Sequence, residues 1–310
     1  MYDRAFFGHG GAEGSWPNRR WRVVITIKDV IQYLYLGRVD YDEGLRIQAE
    51  IARLLGEGRV GNMLLLLEHP PVLTLGRNAH RSNILASDEL LARRGVTVHE
   101  INRGGDVTYH GPGQLVGYPI FNLRTLRNSS GARMGPVDFV RRMEEALIRL
   151  CGELGVLASR IPGLTGVWCG PANGSALDEN HEVEAKIAAI GIHVSRGITA
   201  HGFAFNVTTN LDDFKLIIPC GIADHPVTSL QRQIPGAQAL PPLEAIAHQA
   251  ARQFGQVFAE QVLAVASLDD LRTQAAAVQP QFPAQDTPLQ LPAEVERLLG
   301  LGCEQRPLRC

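Results

Sequence analysis

The segment Met63-Leu-Leu-Leu-Leu67-Glu-His-Pro70-Pro71-Val-Leu-Thr-Leu75 decides the class of fold. Its short, uninterrupted apolar run is stopped by two prolines. That is the pattern of a buried strand followed by a turn. Val72–Leu75 then reads as the return strand. Upstream, Ile47, Ile51, Leu54 and Leu55 recur at i, i+4, i+7 and i+8, the face of an amphipathic helix. Downstream, Val96–Ile101 and Leu115–Leu123 read as strands. Pro136 suits the first turn of a helix, with Val140, Met143, Leu147, Leu150 and Leu154 along one face. Arg141, Arg142 and Arg149 lie on its other face, which is either a solvated surface or a dock for an acidic partner. Thr165–Trp168, Lys186–Val194 and Gly202–Val207 read as further strands, with Phe203, Phe205 and Val207 pointing to one side of the sheet. A last helix is expected over Leu243–Leu263. Some strands are joined by short turns and others by helices. The expected class is therefore α+β, a mixed β-sheet flanked by helices, rather than a doubly wound parallel sheet.

Composition narrows the function. The 310 residues carry 30 basic and 32 acidic side chains, a net charge of -2, which argues against a general nucleic-acid binder. Cys151, Cys169, Cys220, Cys303 and Cys310 are sparse, odd in number and never spaced as CxxC. They read neither as a disulfide framework nor as a zinc ribbon. The first twenty residues hold no apolar signal-peptide core, and no apolar run approaches the roughly 20 residues that span a bilayer. A cytoplasmic protein without membrane insertion is the expectation. Residues 1–20 read as a flexible lead-in, 21–265 as the folded unit, and 266–310 as a Pro/Gln-rich tail with a short helix near Ala293–Leu299. The polar stretch between Trp168 and Lys186 reads as a surface loop.

Three segments carry candidate chemistry. The first is Arg103-Gly-Gly-Asp-Val-Thr-Tyr-His110-Gly-Pro-Gly-Gln114. Its glycines permit positive φ and close backbone approach to a ligand, and polar side chains are interleaved with them. It is either a ligand-lining loop or a hairpin that needs glycine for its turns. It is neither a P-loop nor a Rossmann fingerprint. The second is Lys186-Ile-Ala-Ala-Ile-Gly191-Ile-His193-Val. A strand-end lysine in water is the plain reading. The other is a partly buried amine suited to proton transfer, since desolvation lowers an amine's pKa from about 10.4. The third is Leu216-Ile-Ile-Pro-Cys220-Gly-Ile-Ala-Asp224-His225-Pro. Cys220 is either an inert buried thiol or a nucleophile on a constrained turn, with amides near Gly221 facing a developing oxyanion. His201 either lines the same pocket or caps a strand. His225 reads as a turn residue, and Cys151 (on a helix) and Cys169 (in the polar loop) as bystanders.

Together these segments resemble the lipoyl(octanoyl) transferases. The most specific match is Arg103-Gly-Gly-Asp-Val-Thr-Tyr-His-Gly-Pro-Gly-Gln-Leu115. Lys186-Ile-Ala-Ala-Ile-Gly191 and His201-Gly-Phe-Ala-Phe-Asn-Val207 resemble a second block, and Ile218-Pro-Cys-Gly-Ile222 the block with the acyl-carrying cysteine. The match runs roughly from Tyr41 to Gln233. Cys220 follows Lys186 by 34 residues, an interval that also fits. The loop before Lys186, the lead-in and the tail depart from the pattern without touching a motif residue.

The resemblance implies the fold of biotin and lipoate protein ligases. It also implies transfer of an octanoyl (or lipoyl) group from acyl carrier protein to a lysine of a lipoyl domain. The acceptors implied are the lipoyl domains of 2-oxoacid dehydrogenase complexes and the glycine cleavage H protein. Cys220 would carry the acyl group with Lys186 as its partner. The substrate residues carried over are Arg103, Gly104, Gly105, Asp106, Val107, Thr108, Tyr109 and His110, then Ala189, Ile190 and Gly191, then Gly202, Phe203 and Ala204. No metal or other cofactor is implied, and a monomer is expected. The energetics agree: thioester exchange is nearly balanced and amide formation runs downhill, so no ATP is needed. Gly104, Gly105, Gly191 and Gly202 are expected to keep an acyl channel open. Three rivals remain: an ATP-dependent lipoate or biotin ligase on the same fold, a cysteine hydrolase using Cys220 with His201 or His225, and a non-catalytic lipoyl-domain binder.

Overall fold

The computed structural model describes residues 30–128, 130–170, 184–218, 226–234 and 239–279. Cys220, Asp224, His225, Cys303, Cys310 and the short helix expected near 293–299 lie outside them, as does most of the polar loop before Lys186. The chain begins with β1 (Val30–Arg38), α1 (Tyr41–Gly56), β2 (Asn62–Glu68) and β3 (Val72–Leu75). Then come α2 (Asp88–Arg93), β4 (Thr97–Glu100), β5 (Val107–His110), β6 (Gln114–Ile120) and α3 (Pro136–Glu153). A meander follows of β7 (Ala158–Ile161), β8 (Leu164–Cys169), β9 (Ala185–Ser195) and β10 (Ile198–Asn206). The described part closes with α4 (Leu230–Gln233), α5 (Leu243–Phe258), β11 (Gln261–Ala264) and α6 (Leu268–Ala277).

Eight strands form one mixed sheet in the order β11-β1-β2-β6-β10-β9-β8-β7. β1 is parallel to β2 and β11, whereas the strands from β6 to β7 pair antiparallel. The apolar run in β2 is buried on both faces, as its composition demands. Leu64 and Leu66 join Phe203, Phe205 and Val207 under α3 and α5. Met63, Leu65 and Leu67 pack against Ile47, Ile51 and Leu54 of α1.

Several expectations need correction. β3 does not return alongside β2, because β1 and β6 already occupy both edges of that strand. The two prolines instead send β3 into a separate three-stranded sheet, β4-β3-β5. The helix expected to reach Leu263 stops at Phe258, where Ala259 adopts φ +57°. Val262 then packs over Gly255, and β11 joins β1. Apolar residues continue through this boundary, so periodicity alone does not mark it. α6, in the stretch read as tail, buries Leu271 and Ala275 against the α1 side of the sheet. Its Arg272 holds both carboxylate oxygens of Glu50.

Cys169 sits in β8, fully buried, rather than in a loop. Burial pushes its thiol up to about 12 and raises that of Cys151 on α3 as well, so both are inert. The arginine face of α3 is not a free patch. Arg141 and Arg160 both bond the buried carboxylate of Glu144, and Arg149 bonds Glu145. Arg142 donates to the Arg127 carbonyl and stacks on Phe258. Arg141 and Arg149 nonetheless stay about half-exposed, as a solvated face requires.

Candidate active site

A cavity of about 230 Å³ opens where the β4-β3-β5 sheet meets β9 and β10. Arg103, Gly105, Asp106, Thr108, His110, Lys186, Ala189, Ile190, Gly191, Gly202, Phe203 and Ala204 all line it. Segments 80 residues apart in sequence are thus brought to one site. Three of the expected residues are placed elsewhere. Val107 and Tyr109 alternate to the other face of β5, where they join Leu73 and Phe214. The Tyr109 hydroxyl donates to Asp213. Gly104 gives its amide to the Ile192 carbonyl. Sequence reasoning missed Tyr41, Tyr118 and residues Gly163, Leu164 and Thr165 at the start of β8, which together with His201 complete the lining. Tyr41 opens α1 and Tyr118 lies within β6; an aromatic in such a position looks like any core residue.

Arg103 is the brace of the site. Its guanidinium donates to the carbonyl and the hydroxyl of Thr74 at 2.8 and 2.9 Å, and to the Gly104 carbonyl at 3.0 Å. Space for it comes from missing side chains. A Cβ on Gly76 would sit 2.8 Å from its Nη1, and one on Gly191 would sit 3.3 Å from its Cδ. The motif glycines therefore serve the packing of this arginine and its loop.

Histidines surround the brace, and their protonation follows from their bonds. Asn206 Nδ2 donates to the Thr228 carbonyl, so Asn206 Oδ1 accepts from Gln114 Nε2. Gln114 Oε1 therefore accepts from His110 Nδ1, which leaves Nε2 as the lone-pair nitrogen. Likewise His69 Nδ1 donates to the Val39 carbonyl, and its Nε2 accepts from the Tyr118 hydroxyl. Burial above all holds His110 down at about 3, and His69 and His201 at about 4. These neutral imidazoles flank a buried cation without adding charge to it.

The same depressed values make the fold acid-sensitive. An unfolded histidine takes up a proton near pH 6.5, whereas these three stay neutral until about pH 3–4. Between those limits the unfolded state binds more protons, so stability falls as pH falls. Each imidazole contributes up to about 1.4 kcal/mol per pH unit in that window. The urea midpoint at pH 5 is expected below that at pH 7.5. An unchanged midpoint would mean that the imidazoles are not held neutral.

Lys186 is the second residue of β9 and is buried, with Nζ 4.6 Å from the centre of the Trp168 ring. Its backbone is pinned from both sides: its amide donates to Pro226 O, and its carbonyl accepts from Thr228 N. Gly166, at φ +133°, makes room beside it; a Cβ there would lie 2.7 Å from Ala188 O and 3.4 Å from Lys186 Cε. Glu144 fixes that glycine by accepting its amide proton. On the other flank, Ile218 N donates to Asn83 O, and Asn83 Nδ2 bonds the cavity carboxylate Asp106 at 2.7 Å. Both described ends of the segment around Cys220 are thus bonded next to cavity residues. Among the described residues no cluster of three or more His, Cys, Asp or Glu is arranged to hold a metal, and no helix is long and apolar enough to cross a membrane.

Comparison with known proteins places this arrangement. The lipoyl protein ligase A/B catalytic domain family matches residues 40–255. An octanoyltransferase of Acidobacterium capsulatum is 56% identical over 80% of this chain and 98% of its own. One of Koribacter versatilis is 52% identical over 78% and 90%. Among solved structures, the bipartite lipoate protein ligase of Thermoplasma acidophilum superposes with a TM-score of 0.57 at 15% identity, covering 80% of this chain and 91% of that one. Lipoate-protein ligase A bound with ATP gives 0.55 at 15% identity, over 79% and 92%. The likeness to these ligases is one of fold, whereas the sequence identity lies with the transferases. The chain belongs to the octanoyltransferases of the lipoyl protein ligase A/B catalytic domain family.

Proposed function

We propose that this octanoyltransferase takes an octanoyl group from acyl carrier protein onto Cys220 and passes it to a lysine of a lipoyl domain, with Lys186 moving the protons. The observation that carries this reading is the position of Lys186. It is a buried amine facing the cavity, and its backbone is bonded to Pro226 and Thr228, six and eight residues beyond Cys220.

In the first half-reaction the Cys220 thiol loses its proton to Lys186 and attacks the thioester carbonyl. The carbon–sulfur bond to the carrier breaks, and Lys186 returns the proton to the departing thiolate. In the second, the acceptor amine attacks the Cys220 thioester. Its proton passes through Lys186 to the Cys220 sulfur as the amide forms. The acyl chain lies against Ala189, Gly191, Gly202 and Ala204, which share the cavity face of β9 and β10. Ile190 and Phe203 pair on the opposite face of that ladder, against the core under α3 and α5. Neither half-reaction consumes a nucleotide. The donor is acyl carrier protein, and the acceptors are lipoyl domains of 2-oxoacid dehydrogenase complexes and the glycine cleavage H protein.

The test is transfer from octanoyl-acyl carrier protein to an isolated lipoyl domain with every nucleotide removed. Transfer at full rate is expected. A requirement for ATP, with free octanoate as donor, would return the chain to the ligase reading that its fold also accommodates.

A further inference from the structure

β9 does not keep a period of two along its whole length. Ala189 and Gly191 line the acyl cavity, and Ile190 between them packs against the core under α3 and α5. Counted back by twos, Ile187 falls on the cavity face and Lys186 on the core face. The structure has the reverse. Ile187 and Ala188 both belong to the core, and Lys186 lines the cavity. A slip of one residue is what exchanges the faces of a strand.

The slip lies in the pairing with β8. Val167 stands opposite Ala188, but the next residue, Trp168, stands opposite Lys186. Ile187 is therefore the extra residue of a β-bulge, a device that re-aims a side chain. The faces of β8 agree. Val167 and Cys169 lie in the core, and Trp168 between them carries Lys186 Nζ over its ring. On its other edge, β9 pairs regularly with β10 as far as Ala188 opposite Phe205, and Lys186 then pairs with Val227.

Two residues seat the bulge. Gly166 directly precedes Val167 and holds φ +133°, a conformation that strains any residue with a side chain. A Cβ there would lie 2.7 Å from the Ala188 carbonyl oxygen and 3.4 Å from Lys186 Cε. The Gly166 amide donates to Glu144 Oε1 at 3.1 Å. Glu144 is completely buried, and its other oxygen accepts from Arg141 at 2.7 Å and Arg160 at 3.0 Å. The carboxylate is thus fixed from α3 and β7, and it fixes Gly166 in turn.

We propose that this bulge, seated on Gly166 and braced by Glu144, aims the Lys186 amine into the acyl cavity, which makes both of them positioning residues for proton transfer. This rests on the reading that Lys186 moves the protons. Neither residue lines the cavity, so each acts through the lysine. A methyl group on Gly166 presses on Ala188 and on the lysine stem and moves the amine off its line. A misplacement of about 1 Å can cost on the order of a hundredfold in rate.

The experiment measures single-turnover acylation by octanoyl-acyl carrier protein, beside thermal melts. The proteins are wild type, Gly166→Ala, Glu144→Gln and Lys186→Met, and each of the first two substitutions combined with Lys186→Met. Gly166→Ala is expected to lower the rate at saturating donor by about tenfold or more. The donor concentration for half-saturation is expected to stay within about twofold of wild type. Glu144→Gln keeps an oxygen for the Gly166 amide, is expected to lose less, and guards against a Gly166 variant that folds poorly. In the Lys186→Met chain both substitutions are expected to change the residual rate by less than about twofold, because the group they aim is gone. Equal losses with and without Lys186 would show that the two residues serve the fold alone and would overturn the proposal. So would a rate within about twofold of wild type in every variant that folds. A Lys186→Met chain that acylates at the wild-type rate would instead overturn the role of Lys186, and a wild type that takes up no octanoyl group would overturn the transferase reading.

Discussion

Lys186→Met lowers octanoyl transfer by about a thousandfold while the protein still folds. Methionine keeps the unbranched apolar stem of lysine, one atom shorter, and its sulfur makes its own favourable contact with an aromatic ring. The side chain lies buried on Trp168, so the packing survives the exchange. The backbone bonds to Pro226 and Thr228 do not depend on the side chain. What disappears is the group that accepts and returns protons in both half-reactions. The loss is expected in the rate of acylation at saturating donor, with little change in the donor concentration needed for half-saturation. Single-turnover kinetics beside a thermal melt make the measurement. A loss below tenfold in a well-folded variant would remove Lys186 from the chemistry.

Gly191→Val reduces transfer of both octanoyl and acetyl groups, by about a hundredfold or more. If glycine merely held a channel open, the long chain would suffer and the short one would not. The geometry says otherwise. A Cβ on Gly191 would lie 2.7 Å from the Gly104 carbonyl oxygen and 3.3 Å from Arg103 Cδ. Those atoms cannot step aside alone. Gly104 is bonded to Ile192 and Arg103 to Thr74, so the loop from Arg103 to Asp106 must shift as a unit. Gly202 is similar, since a Cβ there would lie 2.1 Å from the Gly117 carbonyl and 2.5 Å from Pro119. Parallel rates with acetyl and octanoyl thioesters decide the matter. A selective loss of octanoyl transfer would restore the channel reading of these glycines.

The contrast between these two residues shows what a sequence discloses. Lys186 stood out because a charged residue heads an apolar strand, and the structure buries it beside the cavity. The glycines stood out as well, but a sequence names a missing side chain without naming what fills the space. Here the occupant is Arg103, held by Thr74 from a strand the sequence assigned to a different partner. Period-two alternation would have separated Val107 and Tyr109 from Thr108 and His110, and it does so in β5. The motif match took the whole run instead. Tyr41 and Tyr118 were not legible because a cavity aromatic and a core aromatic carry the same local signal. The arginines of α3 form the half-exposed face that the solvated reading expected, but their partners were not legible. Their partner Glu144 sits on the same helix, yet it is completely buried and bonded by Arg160 of β7 and the Gly166 amide of β8, which lie far along the sequence. The long helix at the end was overrun by two apolar residues, Val262 and Leu263, that belong to an edge strand.

The central claim is a covalent one, and intact-protein mass tests it most directly. The enzyme is mixed with octanoyl-acyl carrier protein without nucleotide, beside a Cys220→Ser variant, and both are weighed before and after a lipoyl domain is added. The account predicts one octanoyl adduct on the wild type, none on the variant, and discharge of the adduct onto the lipoyl domain. An enzyme that acquires no adduct, together with a variant that still transfers, would contradict it.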